Sequence, residues 1–422
     1  VQMNATNRGV ETSRRDVVVI GGGPAGLAAA IAAKEAGCGG VLLIERDRIL
    51  GGILNQCIHD GFGLHTFKEA LSGPEYAARY IDRFRELGIE AMEETIVLSL
   101  GSDRVVEVST RGTLRRIHAE AVVLAMGCRE RTRGAISIPG NRPSGVYTAG
   151  AAQNFMNMEN IMVGKKVCIL GSGDIGLIMA RRMTPEGASV EAVFEILPYS
   201  SRLPRNIQQC LNDYDIPLFL NTTVTEIVGK GRLEGIRVAS VGEDRAPILD
   251  TERFVACDTL LLSVGLIPEN ELSREAGVAM DPVTGGAVVD DSFMTSVDGI
   301  FACGNVLHVH DLVDWVSVEA AEAGRFAAEY AGRERRTPTR RLSVTPGRGV
   351  RYTLPQSVSG ERDCILSLRV AAPWRNRCIV VKDGDREIAR KKEMRLHPAE
   401  MIRIALKKEA LSGCSSLEVT VE

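Results

Sequence analysis

The sequence predicts an α/β protein with two parallel-sheet nucleotide-binding units and a small β-rich C-terminal domain. Two segments each combine a β-branched apolar run, a glycine-rich loop and a helix of small residues, at 16–37 and 165–183. The composition changes after Gly332, where a basic stretch with prolines precedes several short runs of alternating apolar and polar residues. The chain has 422 residues, which is enough for two or three domains with sizeable cores.

The first segment is "DVVVIGGGPAGLAAAIAAKEAG", followed by "GVLLIE" ending at Glu45. Its β-branched run is typical of a buried parallel strand. In Gly21-x-Gly23-x-x-Gly26, the first glycine makes a tight turn, the second admits a pyrophosphate and the third lets helix and strand pack closely. Glu45 can accept hydrogen bonds from a ribose diol. The segment predicts a Rossmann-like dinucleotide site with phosphates at a helix N-terminus.

The second segment, "KKVCILGSGDIGLIMARRM", repeats this logic and is followed by "ASVEAVFE" ending at Glu195. The simplest interpretation is an internal duplication of the nucleotide fold. A carboxylate at Glu195 accepts from a ribose hydroxyl and repels a 2′-phosphate, so NADH is favoured. Arg202 and Arg205 follow a few residues later and leave NADPH as the alternative.

Further buried strands are predicted from three apolar runs, at 119–127, 258–270 and 296–305. Small and apolar residues at helical spacing then predict a helix over 313–330.

Beyond it, "RERRTPTRRLSVTPGRG" is interpreted as a linker. Three runs, "CILSLRVAA", "RCIVVKDGDREIARKKE" and "SSLEVTVE", predict strands of a β-sandwich-like domain, with Asp383-Gly384 as a hairpin turn. The alternative, a mixed α+β cap, depends on "PAEMIRIALKKEAL" being helical.

Charge and cysteine usage exclude some functions. The net charge of -3 argues against nucleic acid or an anionic membrane as the main partner. Ten cysteines occur without a CxxC pair or zinc-like spacing, which fits a reducing compartment. Residues 1–15 lack the apolar core of a signal peptide, and no stretch is long enough for a membrane span, so we expect a cytoplasmic location.

The order of the first motif, "VVLAMG", "GLIPEN" and "TSVDGIFACGN" resembles the pyridine nucleotide–disulfide oxidoreductase superfamily over residues 17–332. The resemblance implies a discontinuous FAD domain, an inserted NAD(P)H domain and a separate C-terminal domain, at 14–132 with 266–335, 133–265 and 342–422. In such proteins the strand "FACGN" usually ends in Gly-Asp, and the Asp binds the ribityl chain of the flavin. Here Asn305 can accept one such bond through its amide oxygen.

The motif and the resemblance together give two sets of cofactor-binding residues. The predicted FAD residues are Gly21, Gly23, Pro24, Ala25, Gly26, Glu45, Arg46, Gly52, Gly127, Gly304 and Asn305. The predicted NAD residues are Gly171, Gly173, Asp174, Ile175, Gly176, Glu195 and Gly265.

Cys57, in "GGILNQCIHDGFG", is the candidate catalytic residue. Glutathione-reductase-like members carry two cysteines at this place, and thioredoxin-reductase-like members carry a CxxC where this chain has "GVYTAGAAQNF". A flavin–disulfide relay is therefore not encoded unless Cys57 meets Cys303 or Cys128 in space. Three interpretations stay open: a packed residue near the flavin, a thiol that cycles through sulfenic acid, or a residue that positions the flavin or a partner.

A closer resemblance extends over nearly the whole chain after Arg15. The segments "GGILNQCIHDGFGLHTFKEALSGPEYA", "CRERTRGAISIPGNRPSGVYTAGAAQ" and "KKEMRLHPAEM" are similar to the NAD(P)/FAD oxidoreductase found beside anaerobic glycerol-3-phosphate dehydrogenase-like flavoproteins. That subgroup is related to subunits of amino-acid dehydrogenase and hydrogen cyanide synthase complexes. The resemblance implies hydride exchange between NADH and FAD, and electron transfer to a partner protein such as a second flavoprotein dehydrogenase.

Two other functions remain alternatives: a single-cysteine NADH-dependent peroxide or disulfide reductase that uses Cys57, and a flavin-binding scaffold without activity. His308-x-His310-Asp311 suggests a metal site, but it follows directly on the predicted flavin strand. A loop near the isoalloxazine is favoured, so no metal is predicted. A basic cluster at Arg129, Arg131 and Arg133 is either a solvated loop or a contact to a phosphate or a partner.

Overall fold

A computed structural model of the protein describes residues 11–200, 204–332 and 341–422. The chain forms two compact units: one joins Val1–Cys128 to Pro268–Glu422, and the other is Arg129–Ile267. These units are defined by packing, and the predicted limits of the FAD, NAD and C-terminal domains stay predictions.

The N-terminal part of the first unit alternates strands and helices up to residue 124. Its elements are β1 Glu11–Ile20, α1 Pro24–Glu35, β2 Val41–Ile44, β3 Asp60–Phe62, β4 Leu71–Ser72, α2 Gly73–Glu86, β5 Glu90–Met92, β6 Thr95–Leu100, β7 Val105–Thr110 and β8 Thr113–Leu124. The main sheet has the order β5-β2-β1-β8-β7-β6. Strands β5, β2, β1 and β8 run parallel, as the buried β-branched runs predict.

Strand β1 begins at Glu11, five residues before the predicted segment at Asp16. The added residues pair with the long strand β8, for example Glu11 with Arg115 and Ser13 with Ile117. Their side chains are mostly exposed, so backbone pairing extends the strand where hydrophobicity gives no signal.

The second unit carries its own five-stranded parallel sheet. Its elements, with the connecting strands, are β9 Cys128–Glu130, β10 Val146–Thr148, α3 Ala149–Asn157, β11 Lys166–Leu170, α4 Asp174–Met183, β12 Ser189–Phe194, α5 Pro204–Cys210, β13 Leu218–Phe219, β14 Thr222–Gly229, β15 Leu233–Ser240, β16 Arg253–Ala256, β17 Thr259–Leu262 and β18 Leu266–Pro268. The order is β10-β17-β11-β12-β13, and β14-β15-β16 form a separate antiparallel sheet.

The chain then returns to the first unit with α6 Glu271–Glu275, β19 Ile300–Ala302 and α7 Val313–Gly332. Strand β19 pairs in parallel with β8, and α7 confirms the helix predicted over 313–330. Helix α7 packs closely on α1: a Cβ at Gly324 would lie 2.1 Å from the carbonyl oxygen of Ala29. Only glycine permits this approach.

The C-terminal region is built of two sheets around one hydrophobic core. Its elements are β20 Leu342–Pro346, β21 Val350–Leu354, β22 Ser357–Val358, β23 Cys364–Val370, β24 Trp374–Asp383, β25 Arg386–Leu396, β26 Ile402–Leu406, α8 Lys408–Leu411 and β27 Ser416–Val421. The sheets have the orders β22-β20-β27-β24-β25 and β21-β23-β26. The predicted fold class, two Rossmann-like domains with a β-rich C-terminal region, is confirmed, and the chain turns at Asp383-Gly384 between β24 and β25.

One local prediction in this region is wrong, and the helical alternative does not apply. The segment interpreted as a linker contains β20, because Leu342 and Val344 are buried, Leu342 pairs with β22 and Val344 pairs with the final strand. Residues 333–340 of that segment lie outside the described ones. The segment considered as a helix contains β26, because Ile402, Ile404 and Leu406 alternate into the core. Only α8 is helical there.

Within the described ranges, no helix combines the length and the apolar character needed to cross a membrane.

Candidate dinucleotide and flavin site

The first glycine loop connects β1 to α1, and its three glycines have three different surroundings. Gly21 has a φ of 109°, and a Cβ there would lie 2.5 Å from the carbonyl oxygen of Ala125. A Cβ at Gly26 would lie 1.7 Å from the carbonyl oxygen of Gly21. At Gly23 the nearest atom would be 3.9 Å away, which leaves room above the backbone. The turn, the open middle position and the close helix packing are those of a pyrophosphate cradle.

Glu45 lies at the carboxyl end of β2 and is buried, with 6% of its surface exposed. Its Oε2 accepts a hydrogen bond from the backbone N–H of Gly22 at 2.6 Å, and its Oε1 accepts from that of Asp47 at 2.9 Å. The carboxylate is thus anchored to the glycine loop, and its remaining lone pairs are those that a ribose diol would use. The neighbouring Arg46 is exposed.

The structure brings two further predicted residues, Gly52 and Gly304, to this loop and the start of α1. The backbone N–H of Gly51 donates to the carbonyl of Gly22 at 2.8 Å, and a Cβ at Gly52 would lie 2.9 Å from the Cα of Gly23. Gly304, after β19, would place a Cβ 2.8 Å from that of Ala25, next to Pro24 at the start of α1. Gly127 has a φ of 71° and open space around it.

The amide of Asn305 makes two hydrogen bonds within the protein. Its Oδ1 accepts a hydrogen bond from the backbone N–H of His310 at 3.0 Å, and its Nδ2 donates to the Sγ of Cys128 at 3.6 Å. The amide therefore fixes the loop after β19. The predicted bond to the flavin ribityl chain has to use the second lone pair of this oxygen.

Cys57 is buried, and its thiol is held locally. The Sγ donates to the carbonyl of Ile53 at 3.3 Å. A Cβ at Gly73, the first residue of α2, would lie 2.8 Å from the Cβ of Cys57, so the cysteine packs against the helix start. Burial raises the pKa of the thiol to about 12, because desolvation disfavours the thiolate.

Among the described residues, which include all ten cysteines, no disulfide is formed. The Sγ of Cys303 faces the carbonyl of Leu124 at 3.9 Å, and Cys128 meets Asn305. The two cysteines considered as partners of Cys57 thus have other contacts.

The second glycine loop, between β11 and α4, packs on one residue, Ser263. Cβ atoms at Gly171, Gly173 and Gly176 would lie 2.2 Å, 2.3 Å and 2.6 Å from Ser263 atoms. Ser263 follows β17, the strand adjacent to β11. The hydroxyl of Ser263 also accepts from the N–H of Gly176 at 3.1 Å. Sequence reasoning missed this serine, whose only signal is its place directly after a buried strand.

Glu195 repeats the arrangement of Glu45 at the end of β12. It is buried, its Oε2 accepts from the N–H of Ser172 at 2.9 Å, and its Oε1 accepts from that of Leu197 at 3.0 Å. Asp174 and Ile175 open α4, and Asn206 donates to the carboxylate of Asp174 at 2.8 Å. Arg202 lies outside the described residues, as does the side chain of Arg205.

The predicted Gly265 has a φ of 105°, and its carbonyl accepts from the N–H of Arg131 at 3.0 Å. Arg133 donates to the carbonyls of Ile138, Gly140 and Asn141. Of the basic cluster, Arg133 thus holds a loop, while Arg129 and Arg131 are exposed.

Asp314, at the start of α7, is a further residue that the sequence did not single out. It is buried, and its carboxylate accepts from the backbone N–H groups of Gly63, His65 and Thr66. It thus fixes the end of the Cys57-containing segment against α7. A lone acidic residue at a helix start carries no such signal in the sequence.

The chain is similar to proteins of known family and structure. Residues 15–326 match the family model described as pyridine nucleotide-disulphide oxidoreductase. Hydrogen cyanide synthase subunit HcnB of Pseudomonas protegens is 25% identical over 79% of this chain and 71% of its own length. The ferredoxin–NAD(+) reductase subunit of the benzene 1,2-dioxygenase system of Pseudomonas putida is 28% identical over 83% and 82%. Thioredoxin reductase of T. acidophilum has the same fold, with a TM-score of 0.62 and 24% identity over 75% of this chain and 98% of its own.

Proposed function

The chain belongs to the pyridine nucleotide-disulphide oxidoreductase family, and we propose that it exchanges a hydride between NADH and FAD and passes the electrons to a partner protein without a redox-active disulfide. The family consists of FAD-binding, NAD(P)H-dependent oxidoreductases, so the predicted enzyme class and cofactors are confirmed. The acceptor and the nucleotide preference are the parts proposed here.

The observation that carries this proposal is the state of Cys57. A thiol acts as a nucleophile or electron carrier through its thiolate. Burial raises the pKa of Cys57 to about 12, so this thiol is protonated at neutral pH. Its contacts are those of a packing residue, which disfavours the peroxide or disulfide reductase.

FAD, when bound, supplies the two-electron chemistry of hydride transfer, and the residues of the chain supply binding and position. The amides of the loop at Gly21–Gly26 would hold its pyrophosphate, with Glu45 on the ribose. The corresponding loop at Gly171–Gly176 would hold NADH. There, the anchored carboxylate of Glu195 would repel a 2′-phosphate, which supports the preference for NADH over NADPH.

Relatives support a protein as electron acceptor. One is named as the reductase subunit of a ferredoxin-containing dioxygenase system, and another as a subunit of a synthase. We extend this to the finer assignment, the oxidoreductase subgroup associated with anaerobic glycerol-3-phosphate dehydrogenase, whose partner is a second flavoprotein dehydrogenase. The predicted cytoplasmic location also belongs to this proposal.

The surface around Cys57 is suited to such a partner. Ile53, Ile58 and Leu64 are 59%, 46% and 45% exposed although they are large and apolar. They flank the segment that packs on the first glycine loop. Exposed apolar clusters on soluble proteins commonly mark interaction sites.

An anaerobic titration of the purified flavoprotein with NADH tests the proposal. We expect bleaching of the flavin absorbance, then rapid reduction of artificial dyes and slow reaction with oxygen. Disulfides of the thioredoxin or glutathione type should not be turned over. Rapid NADH-dependent turnover of peroxide or disulfide by the isolated chain would overturn the proposal and point to Cys57.

A further inference from the structure

Three residues outside the dinucleotide loops converge on one point beside the turn at Gly304. His308 and His310 come from the loop after β19, and Glu319 comes from the second turn of α7. One ring nitrogen of each histidine and one carboxylate oxygen of Glu319 lie within 4.8 Å of one another. The sequence pattern suggested Asp311 as the acidic member, but the tertiary structure supplies Glu319.

The separations suit coordination by one ion. Glu319 Oε2 is 2.8 Å from His308 Nε2 and 3.3 Å from His310 Nε2. Two ligands about 2.0–2.1 Å from a tetrahedral zinc ion lie roughly 3.3 Å apart. Binding therefore requires Glu319 Oε2 and His308 Nε2 to separate by about 0.5 Å, and the protons that face the carboxylate to move to Nδ1 of each imidazole. The ligand atoms of the two histidines, which lie within 4.8 Å of each other, have to close to the same spacing.

Hydrogen bonds to neighbouring groups orient two of the three side chains, as they do in established metal sites. The other carboxylate oxygen of Glu319 accepts from the N–H of Gly304 at 2.8 Å. The Nδ1 of His308 lies 3.3 Å from the hydroxyl of Tyr352. These contacts leave His308 Nε2 and Glu319 Oε2 facing each other, at 2.8 Å.

The loop that carries the two histidines is clamped by the C-terminal region. Arg369 donates to the carbonyl of Val309, between the histidines, at 2.9 Å. Met401 donates its N–H to Asp311 at 3.0 Å. On the other side, a Cβ at Gly286 would lie 1.7 Å from the carbonyl oxygen of Leu307. The loop is therefore fixed before any ion binds, which reduces the entropy cost of binding.

The cluster is buried but open on one side. The side chains of His308, His310 and Glu319 are 1%, 3% and 7% exposed. The Nδ1 of His310 is buried without a hydrogen-bond partner. His310 and Glu319 line a cavity of about 650 Å³ between α7 and the strands β23 and β26. This cavity has room for water or a small ligand in a remaining coordination position.

Two nearby guanidinium groups, those of Arg369 and Arg403, compete with a cation. The guanidinium of Arg403 lines the same cavity and stacks over Trp315, with 4.3 Å between its Cζ and the ring centroid. It lowers the affinity of the cluster for a cation and would favour an anionic ligand, such as hydroxide, in the open position.

We propose that His308 Nε2, His310 Nε2 and Glu319 Oε2 form a binding site for a divalent transition metal ion of the zinc class, open to the cavity beside α7. Two imidazoles and one carboxylate form the donor set of three-ligand zinc sites and of ferrous sites with open positions. The competing description is a closed hydrogen-bond network of the same three side chains.

The test uses the purified FAD-bound protein after chelator treatment, titrated calorimetrically with Zn²⁺ and, separately, with Co²⁺. We expect one Zn²⁺ per chain and Co²⁺ d–d bands typical of nitrogen and oxygen ligands. His310→Ala should lower the Zn²⁺ affinity more than about tenfold and abolish these bands, while the exposed His118→Ala serves as the matched control. Tyr352→Phe leaves the ligands intact and should cost about 10- to 100-fold through loss of the contact to His308.

Flavin content and thermal melting of each variant show whether it is folded, and Tyr352→Phe carries the test if His310→Ala is not. Absence of saturable Zn²⁺ binding would establish the hydrogen-bond network and overturn the proposal. Thiolate-to-Co²⁺ charge-transfer bands would place the ion on cysteines, and one-to-one binding unchanged in His310→Ala would place it outside this cluster; either result would overturn the proposal.

Discussion

Gly26→Ala tests the role assigned to the first glycine loop. A Cβ at Gly26 would lie 1.7 Å from the carbonyl oxygen of Gly21, and real Cβ contacts stay above 3.0 Å. The difference, 3.0 − 1.7 = 1.3 Å, must be absorbed by backbone, because the opposing atom belongs to the loop itself. The residues displaced are those whose amides would face the pyrophosphate.

The magnitude follows from two opposing effects. Alanine is favoured over glycine in a helix interior by about 1 kcal/mol, and Gly26 lies in α1. Overpacking costs about 1–3 kcal/mol or more, and a clash between backbone atoms belongs at the upper end. We expect the free energy of the FAD-bound protein to be less favourable by ~2 kcal/mol. If the apoprotein relieves the clash by relaxing, this corresponds to roughly 30-fold weaker FAD binding.

The assay is FAD titration of apoprotein, followed by flavin fluorescence, with thermal melting of both forms. Gly39→Ala is the matched control, since a Cβ there would have its nearest neighbour, an Asp16 oxygen, at 4.0 Å. If Gly26→Ala binds FAD as tightly as the control variant does, the loop is not a pyrophosphate cradle and the reasoning is refuted.

Three further predictions concern the thiol and the second site. Cys57→Ser should keep NADH-driven dye reduction within about twofold. Cys364→Ser is the control, because burial also raises the pKa of the Cys364 thiol to about 12. If Cys57→Ser abolishes dye reduction with normal FAD content, Cys57 is catalytic. Burial in the folded protein raises the pKa of Cys57 to about 12. The rate of Cys57 alkylation, measured by mass spectrometry, should therefore rise about tenfold per pH unit through pH ~8–10. A plateau of this rate near pH 9 would contradict a buried thiol. Glu195→Gln keeps a hydrogen-bond acceptor for Ser172 but removes the negative charge. The ratio of kcat/KM for NADH over NADPH should therefore fall about tenfold, or ~1.4 kcal/mol, whereas the control Glu191→Gln should leave it unchanged. An unchanged ratio in Glu195→Gln would show that Glu195 does not determine the nucleotide preference.

The elements that the sequence predicted correctly are those whose evidence is local. The buried runs of β1, β11 and β17 and the small-residue helices α1 and α4 each lie within about twenty residues. Glycine at a turn and β-branched residues in a buried strand depend on backbone sterics and burial, which neighbouring residues largely determine. Strands β20 and β26 were not predicted. Each is stabilised as a strand by pairing with segments far along the chain, which local propensity does not detect.

For the site, the sequence by itself determined the residue types of the two glycine loops, the acidic residue at the end of the next strand and the single cysteine at position 57. Only the tertiary structure decided what these residues touch. It anchored Glu45 and Glu195 on their glycine loops, buried the Cys57 thiol and joined His308 and His310 to Glu319 rather than to Asp311. The physical reason is that burial and hydrogen bonding arise between elements, whereas motif spacing describes one element at a time.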